Sequence, residues 1–336
     1  MQQPFNISVV QPAVRPVFRG DAPFSRGALQ ANLDRACEHV LTAARYFRSK
    51  VVVFPEFFLH GFQMGRSNED WISASVRVPG PETEQLGKVA REAQCYVAGM
   101  TYEVMPEFPG RFWNTAFIIA PDGQVALRYH KLYAMTGKTR PGDVYDEYQK
   151  HFGGPESLFP VLKTPYGNLG CLVCYDINFP EVTRCLALRG AEIFLHISSE
   201  GRSSYHLPDG GWEIARRTRA YENIAYLAMS NCGPAIDTDG PADFSHGHSQ
   251  IVDYNGRVLN MAESAGETII TAEVDIEALR RRPGRAKVQA APEFEKGKDE
   301  QGRRTHEEQQ AGRQHGARVA MKERVHAVSS LMRAMS

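Results

Sequence analysis

Apolar positions along the chain fall into two recurring patterns. Leu29, Leu33, Cys37, Val40, Leu41, Ala44 and Phe47 share one stripe of a helical wheel, which predicts an amphipathic helix over Gly27–Lys50. The wholly apolar run Val51–Phe54 that follows has the pattern of a strand buried on both faces. The pairing then repeats. A helix near Glu82–Gln94 precedes a strand at Cys95–Thr101, and a helix beginning at Pro180 stops at Gly190 before the strand Glu192–Ile197. A helix over Gly211–Glu222 leads into the apolar strand Asn223–Ser230.

Between these units the pattern is that of antiparallel strands. Asn6–Val10 opens the chain as a strand, and Trp113–Ala120 and Gln124–Tyr129 flank Pro121-Asp122-Gly123, a hairpin turn signal. Leu158–Lys163 and Asn168–Val173 flank Pro165-Tyr166-Gly167, and Asn255-Gly256 joins His248–Asp253 to Arg257–Met261, with Thr268–Val274 last. Helices alternating with buried strands, together with hairpins, predict a mixed α/β architecture in two halves of comparable element order.

Beyond Pro283 the periodicity fades. Pro283–Gln314 is rich in Gly, Glu, Lys, Arg and Gln and poor in large apolar residues, whereas Val319–Met332 regains a helical stripe. The expected organisation is one catalytic domain, 1–282, followed by a basic extension, 283–336. Charge draws the same boundary. The whole chain has 39 Lys+Arg against 39 Asp+Glu, but Arg280–Ser336 carries fourteen basic and seven acidic residues, leaving 25 basic and 32 acidic in the other 279. An acidic body with a basic tail suggests an oligomerisation tail lying across a neighbouring body in a homodimer or higher homo-oligomer. Neither nucleic acid nor a membrane is an expected partner. The body has no basic footprint, and Phe294 is the one aromatic in Pro283–Gln314, where base stacking would need more.

The beginning of the sequence lacks a basic cluster followed by an apolar run, and no apolar stretch approaches the roughly 18 residues of a membrane span. Six cysteines in 336 residues do not form a disulfide framework; most sit in apolar segments, and a cytoplasmic protein with reduced thiols is expected.

Three predicted strands end in reactive side chains, where α/β sheets place their chemistry. Val51-Val-Val-Phe-Pro-Glu56 ends in a carboxylate, Leu127-Arg-Tyr-His-Lys131 in an ammonium group, and Gly170-Cys-Leu-Val-Cys174 in a thiol at a sharp strand-to-helix turn. Such a turn exposes a nucleophile and points the next backbone N–H, that of Tyr175, at an oxyanion. Glu56 can take the thiol proton and later activate water, and Lys131 can stabilise a thiolate or a tetrahedral oxyanion. Together they suit hydrolysis of a carbon–nitrogen bond through a thioester. Cys171-x-x-Cys174 also fits a redox pair or half a zinc site. However, there is no second pair at zinc-finger spacing, and residues three apart on a strand face opposite ways.

These residues resemble the carbon–nitrogen hydrolase (nitrilase) superfamily, amidase-type branch. The matching motifs are Phe54-Pro55-Glu56, Tyr129-His130-Lys131, Cys174-Tyr175-Asp176 with Phe179-Pro180-Glu181, Arg219-Ala-Tyr-Glu222-Asn223, Ser230-Asn231 and Gly247-His-Ser249 before Val252-Asp253. In order, they span about four-fifths of the chain. The resemblance implies a four-layer αββα sandwich, a Glu56-Lys131-Cys174 triad, dimers built by stacking sandwiches, and no metal or organic cofactor. It also implies a second glutamate between lysine and cysteine. Glu147, 27 residues before Cys174, is the better candidate and Glu156 the other.

Cys174-Tyr175-Asp176 resembles the amidase branches rather than true nitrilases, which usually have Cys-Trp-Glu. N-carbamoyl amino acid hydrolases often place an arginine just after the cysteine, where Ile177-Asn178 stand here. Arg202, Asn178 and Trp212 are the candidate substrate contacts, and Tyr205 and Phe179 are further candidates for an apolar pocket wall. The expected activity is release of ammonia from a small amide. A ureido (N-carbamoyl) hydrolase or a nitrilase on the same triad is the alternative, and a catalytically silent binding protein is the alternative outside enzymes.

Overall fold

The computed structural model describes residues 3–63, 65–134, 139–201, 211–238 and 247–289. Two six-stranded sheets stack face to face. The first has the order β12-β1-β2-β3-β4-β5 and the second β11-β10-β9-β8-β7-β6. Their strands are β1 Phe5–Gln11, β2 Ser49–Val53, β3 Tyr96–Glu103, β4 Trp113–Ile119, β5 Val125–His130, β6 Val161–Thr164, β7 Gly167–Val173, β8 Ile193–Ile197, β9 Tyr226–Ser230, β10 Gln250–Val252, β11 Val258–Met261 and β12 Thr268–Val274. In each sheet the three central strands run parallel (β1, β2, β3 and β7, β8, β9) and the outer strands antiparallel. The two halves expected from element order are these two sheets.

The helices are α1 Arg26–Phe47, α2 Asn68–Ala74, α3 Pro81–Ala93, α4 Tyr145–Phe152, α5 Pro180–Leu188, α6 Trp212–Asn223, α7 Ile276–Arg281 and α8 Arg285–Gln289. The apolar stripe of α1 (Leu33, Ala36, Val40, Ala43) and that of α3 (Leu86, Ala90) pack with Val52, Phe54, Val97 and Phe117 on the outer face of the first sheet. Helices α5 and α6 pack on β7, β9 and β10 of the second. The result is the expected four-layer αββα sandwich. Between the sheets lies a single apolar core that includes Ile7, Val51, Val53, Ala98, Trp113, Tyr129, Leu169, Cys171, Val173 and Ile197. Burial of that face on both sides explains why the parallel strands are apolar without alternation.

Four short helices lie where the sequence showed no stripe. Helix α2 starts at a capping box in which Ser67 and Asp70 bond each other's backbone, and it buries Trp71 and Ala74. Helix α4 buries Tyr145 and Tyr148. Helices α7 and α8 follow β12, and α8 lies beyond the expected domain boundary at Arg282. Arg285 is 3% exposed and donates to the carbonyls of Asn223 (2.9 Å), Ile224 (3.0 Å) and Ala191 (2.7 Å), tying the first turn past that boundary to the body. The remainder of the extension, including Val319–Met332, lies outside the described residues.

Candidate active site

Three strand ends converge. Strand β2 sits centrally between β1 and β3, and Phe54 N–H still bonds Ala98 O (2.8 Å) before Pro55-Glu56 leaves the sheet. The Glu56 N–H reaches across to Ser198 O at the end of β8 (3.1 Å), so the carboxylate-bearing residue of one sheet is tied to the other. Lys131 follows β5, with its N–H on Asn114 O (2.9 Å). Its Nζ lies 2.7 Å from Glu56 Oε1, and the two side chains are 6% and 1% exposed. Asn114 Nδ2 approaches the same carboxylate oxygen at 3.5 Å.

Cys174 ends β7 with φ 49°, in the left-handed region. A non-glycine residue is held there at a cost of about 1–3 kcal/mol, and such residues cluster at active sites. Asp176 holds the turn in place. Fully buried, it accepts from Tyr129 Oη (2.7 Å), Val173 N (2.9 Å) and Tyr133 N (2.9 Å). This joins the cysteine turn to the strand and loop that carry Lys131. Arg219 of α6 closes the other side, donating from Nε to Ile177 O (3.2 Å). His196 Nε2 lies 3.0 Å from Cys174 O.

The electrostatics set the resting protonation. Burial pushes the Cys174 thiol well up and the Glu56 charge adds to this, while Lys131 and the Ser199 backbone N–H pull it down. Burial would lower the Lys131 ammonium, but Cys174, Glu56 and Asp176 hold it well above its ordinary value. Glu56 and Lys131 thus form a buried ion pair beside the Cys174 thiol. Burial pushes the Asp176 carboxyl up to about 6 against the pull of Lys131 and its three donors.

Glu56, Lys131 and Cys174 thus stand together where three strands end. Tyr175, 39% exposed, has its ring against Phe179 (centroids 5.5 Å) and Trp212 (5.8 Å), and Phe179 stacks on Tyr133 at 3.5 Å. Trp212 is therefore at the site's margin. Asn178 ends the cysteine turn, half-buried, with Nδ2 3.4 Å from Tyr175 O. Glu147 is exposed on the first turn of α4, and Glu156, half-buried, lies in the field of Arg189. The carboxylates acting on Lys131 are Glu56 and Asp176. Arg202 and Tyr205 lie outside the described residues. Cys171 points away from the turn: a Cβ on its neighbour Gly170 would meet Leu186 (3.2 Å) and Ala191 (3.3 Å) on the helix side, which turns Cys171 into the intersheet core. Among the described residues no group of three or more His, Cys, Asp or Glu could hold a metal ion, and no helix is long and apolar enough to cross a membrane.

Several neighbours were not singled out from sequence: Asn114, Asp176 as a lock, Ser199, Glu200 with Arg216, and Cys232, whose Sγ donates to Glu56 O (3.0 Å). The available signal was a polar residue embedded in apolar surroundings, as in Trp113-Asn114-Thr115-Ala116 or Ile197-Ser198-Ser199-Glu200.

The chain is similar to several known proteins. The omega-amidase NIT2 of Mus musculus is 30% identical over 250 residues, covering 74% of this chain and 84% of that protein. The Xenopus tropicalis omega-amidase NIT2 is 29% identical over 275 residues, covering 82% and 90%. Among solved structures, Saccharomyces cerevisiae Nit3, a member of branch 10 of the nitrilase superfamily, superposes with a TM-score of 0.66 at 24% identity, covering 88% of this chain and 96% of that one. The amidase of Nesterenkonia sp. AN1, seen with acrylamide added at its active-site cysteine, gives 0.59 at 23%, covering 84% and 98%. The family profile for carbon–nitrogen hydrolases matches residues 7–283. The chain belongs to the carbon–nitrogen hydrolase family.

Proposed function

We propose that the chain is an amidase that releases ammonia from a small linear amide, with Cys174 as nucleophile, Glu56 as general base and acid, and Lys131 as electrostatic stabiliser. The observation that carries the reading is the buried 2.7 Å Glu56–Lys131 pair beside a thiol on a left-handed turn. Burial raises the thiol above its ordinary value, so attack and proton transfer are coupled. The sulfur adds to the amide carbonyl carbon as Glu56 takes its proton. The carbonyl oxygen becomes an oxyanion facing Lys131 Nζ and the Tyr175 N–H. The intermediate collapses as Glu56 returns the proton to nitrogen, and ammonia leaves a thioester on Cys174. Water then adds to the thioester with Glu56 again as base, releasing the acid and the thiol.

Losing one oxyanion donor typically costs about two to three orders of magnitude in rate. Tyr175, Trp212 and Phe179 form the partly open aromatic margin of the acyl site, with Asn178 at its rim. Two relatives named omega-amidases and the amidase structure favour amides over ureido compounds and nitriles. We also assign a homo-oligomer. Ile214 and Tyr221, seven residues apart on one face of α6 with Arg217 and Thr218 between them, are 53% and 61% exposed, two apolar side chains that a second copy could cover.

The test is ammonia release from a panel of amides, ureido acids and nitriles, with wild type and Cys174→Ala, and mass spectrometry of the trapped enzyme. Turnover of amides with an acyl adduct on Cys174 is expected. Activity surviving in Cys174→Ala overturns the mechanism, and turnover restricted to nitriles or ureido acids overturns the substrate class.

A further inference from the structure

The peptide plane that follows Cys174 is gripped from one side. His196 Nε2 of β8 lies 3.0 Å from Cys174 O. A carbonyl oxygen only accepts, so the proton of this bond is on Nε2. The His196 side chain is fully buried, and among the described residues its Nδ1 has no hydrogen-bond partner. Burial holds the imidazole down to about 4, so the ring is neutral at ordinary pH; the charged groups acting on it are Glu200, Arg216 and Lys131. A buried nitrogen left unpaired costs about 1–3 kcal/mol, which an apolar side chain in the same place would avoid. The bond that such a side chain would lack is the one to Cys174 O.

Strand register sets the direction of that bond. His196 stands beside Leu172 in the parallel ladder of β7 and β8. Leu172 shares the sheet face of Gly170, where a Cβ would meet Leu186 of α5. The imidazole therefore reaches Cys174 O from the helix layer. The Cys174–Tyr175 bond is trans, since the one cis peptide among the described residues is Val78–Pro79. In a planar trans peptide the C=O and the N–H point in opposite directions. With Cys174 O held toward the helix layer, the Tyr175 N–H is turned toward the intersheet side, from which the first sheet brings Glu56 and Lys131.

We propose that His196 is a positioning residue for the oxyanion donor: by fixing Cys174 O, it aims the Tyr175 N–H at the oxygen that becomes negative when sulfur adds to the substrate carbonyl. The inference rests on the reading of Cys174 as nucleophile and of the Tyr175 N–H as donor. His196 acts through the peptide and exchanges no proton, so its removal weakens only those steps in which an oxyanion forms. Losing a donor outright costs about 100- to 1000-fold in rate, and losing its aim should cost less, about tenfold.

Two reactions of the same thiol separate this role from a structural one. Iodoacetamide alkylates the sulfur by displacing iodide at a saturated carbon, and no oxyanion forms. Butyraldehyde takes the sulfur at its carbonyl carbon, the thiol proton passes to Glu56, and its oxygen occupies the place of the oxyanion. The test uses the full chain and measures amide turnover, the rate of Cys174 alkylation resolved from the other five cysteines by peptide mass spectrometry, and the protection that butyraldehyde gives against it. His196→Leu should lower kcat about tenfold and weaken aldehyde protection by a similar factor, with KM and the alkylation rate within about twofold of wild type. His196→Gln, whose amide Nε2 can donate to the same carbonyl, should restore most of the loss. Should His196→Leu not fold, His196→Asn decides, since its shorter amide keeps the polarity but falls short of Cys174 O; it should show the same selective loss. An unchanged kcat, or a fall in kcat, aldehyde protection and alkylation together, overturns the proposal and leaves His196 a packing residue. A failure of the underlying reading looks different: turnover would then survive Cys174→Ala.

Discussion

The charged resting pair is the premise of the mechanism, and it has a measurable energetic consequence. At 2.7 Å and an effective dielectric near 20, the Glu56–Lys131 attraction is about 6 kcal/mol, from which desolvation of both ions must be subtracted. With side chains 1% and 6% exposed, neither group can fall back on water if its partner is removed. Lys131→Met leaves a carboxylate whose other side-chain donor is Asn114 at 3.5 Å, and Glu56→Gln leaves an ammonium without its nearest anion. Each single change should therefore destabilise the fold by about 3–5 kcal/mol, whereas the double change should cost far less than the sum. The assay is urea unfolding of wild type, both single variants and the double variant, read as a coupling energy. A coupling of about 3 kcal/mol is expected. A value under about 1 kcal/mol is what a solvent-screened surface pair gives, and it would refute the claim that the site holds a buried carboxylate–ammonium pair.

Other consequences can be checked with similar means. Burial holds the His60 and His196 imidazoles down to about 4, so between pH 6.5 and 4 the unfolded chain binds protons that the folded chain does not, and stability falls as pH falls. His39 and His130, also lowered by burial, act in the same direction. Asp176 opposes them: with its carboxyl up at about 6, the folded chain keeps a proton that the unfolded one releases down to about 4. Two imidazoles outweigh one carboxyl, so unfolding experiments should show a net loss of about 3 kcal/mol from pH 7 to 4, and an unchanged or rising midpoint would contradict the assignment. Asp176→Ala orphans one buried and one part-buried N–H group and a tyrosine hydroxyl, a loss of about 3–5 kcal/mol in unfolding experiments, and should cut kcat far more than it changes KM. Truncation after Gln289 keeps Arg285 and should alter only the assembly state seen by light scattering. Truncation after Arg282 should also lower the melting temperature, because three carbonyls at Ala191, Asn223 and Ile224 lose their donor.

Much of this molecule is legible in its sequence, for a physical reason visible in particular residues. The long helices and parallel strands bury continuous surfaces, so Leu33 to Ala43 and Val51 to Val53 show their period in sequence. Helices α2 and α4, with seven and eight residues, each bury two side chains, too few to show a period within otherwise polar stretches. Only the capping box at Ser67–Asp70 marked α2 locally.

The same distinction separates the proposed reacting groups from those that hold them. Glu56, Lys131 and Cys174 each stand where an apolar strand stops, a change that is local to the sequence. Their supports are defined by partners from elsewhere: Asn114 meets Glu56 across 58 positions, Tyr129 meets Asp176 across 47, and Ser249 Oγ reaches Gln11 across 238. No local pattern encodes such pairings. What the chain does display is the obligation to pair. Asn114 and Thr115 within β4, Gln11 ending β1 and Gln250 opening β10 are polar groups on strands without a solvent face, and a buried polar group must find a partner. In this chain many of those partners lie at the carboxyl ends of the central strands, where the two sheets meet around Glu56 and Cys174. The polar interruptions of otherwise apolar strands thus mark the surroundings of the site even though they do not say which residue each will meet.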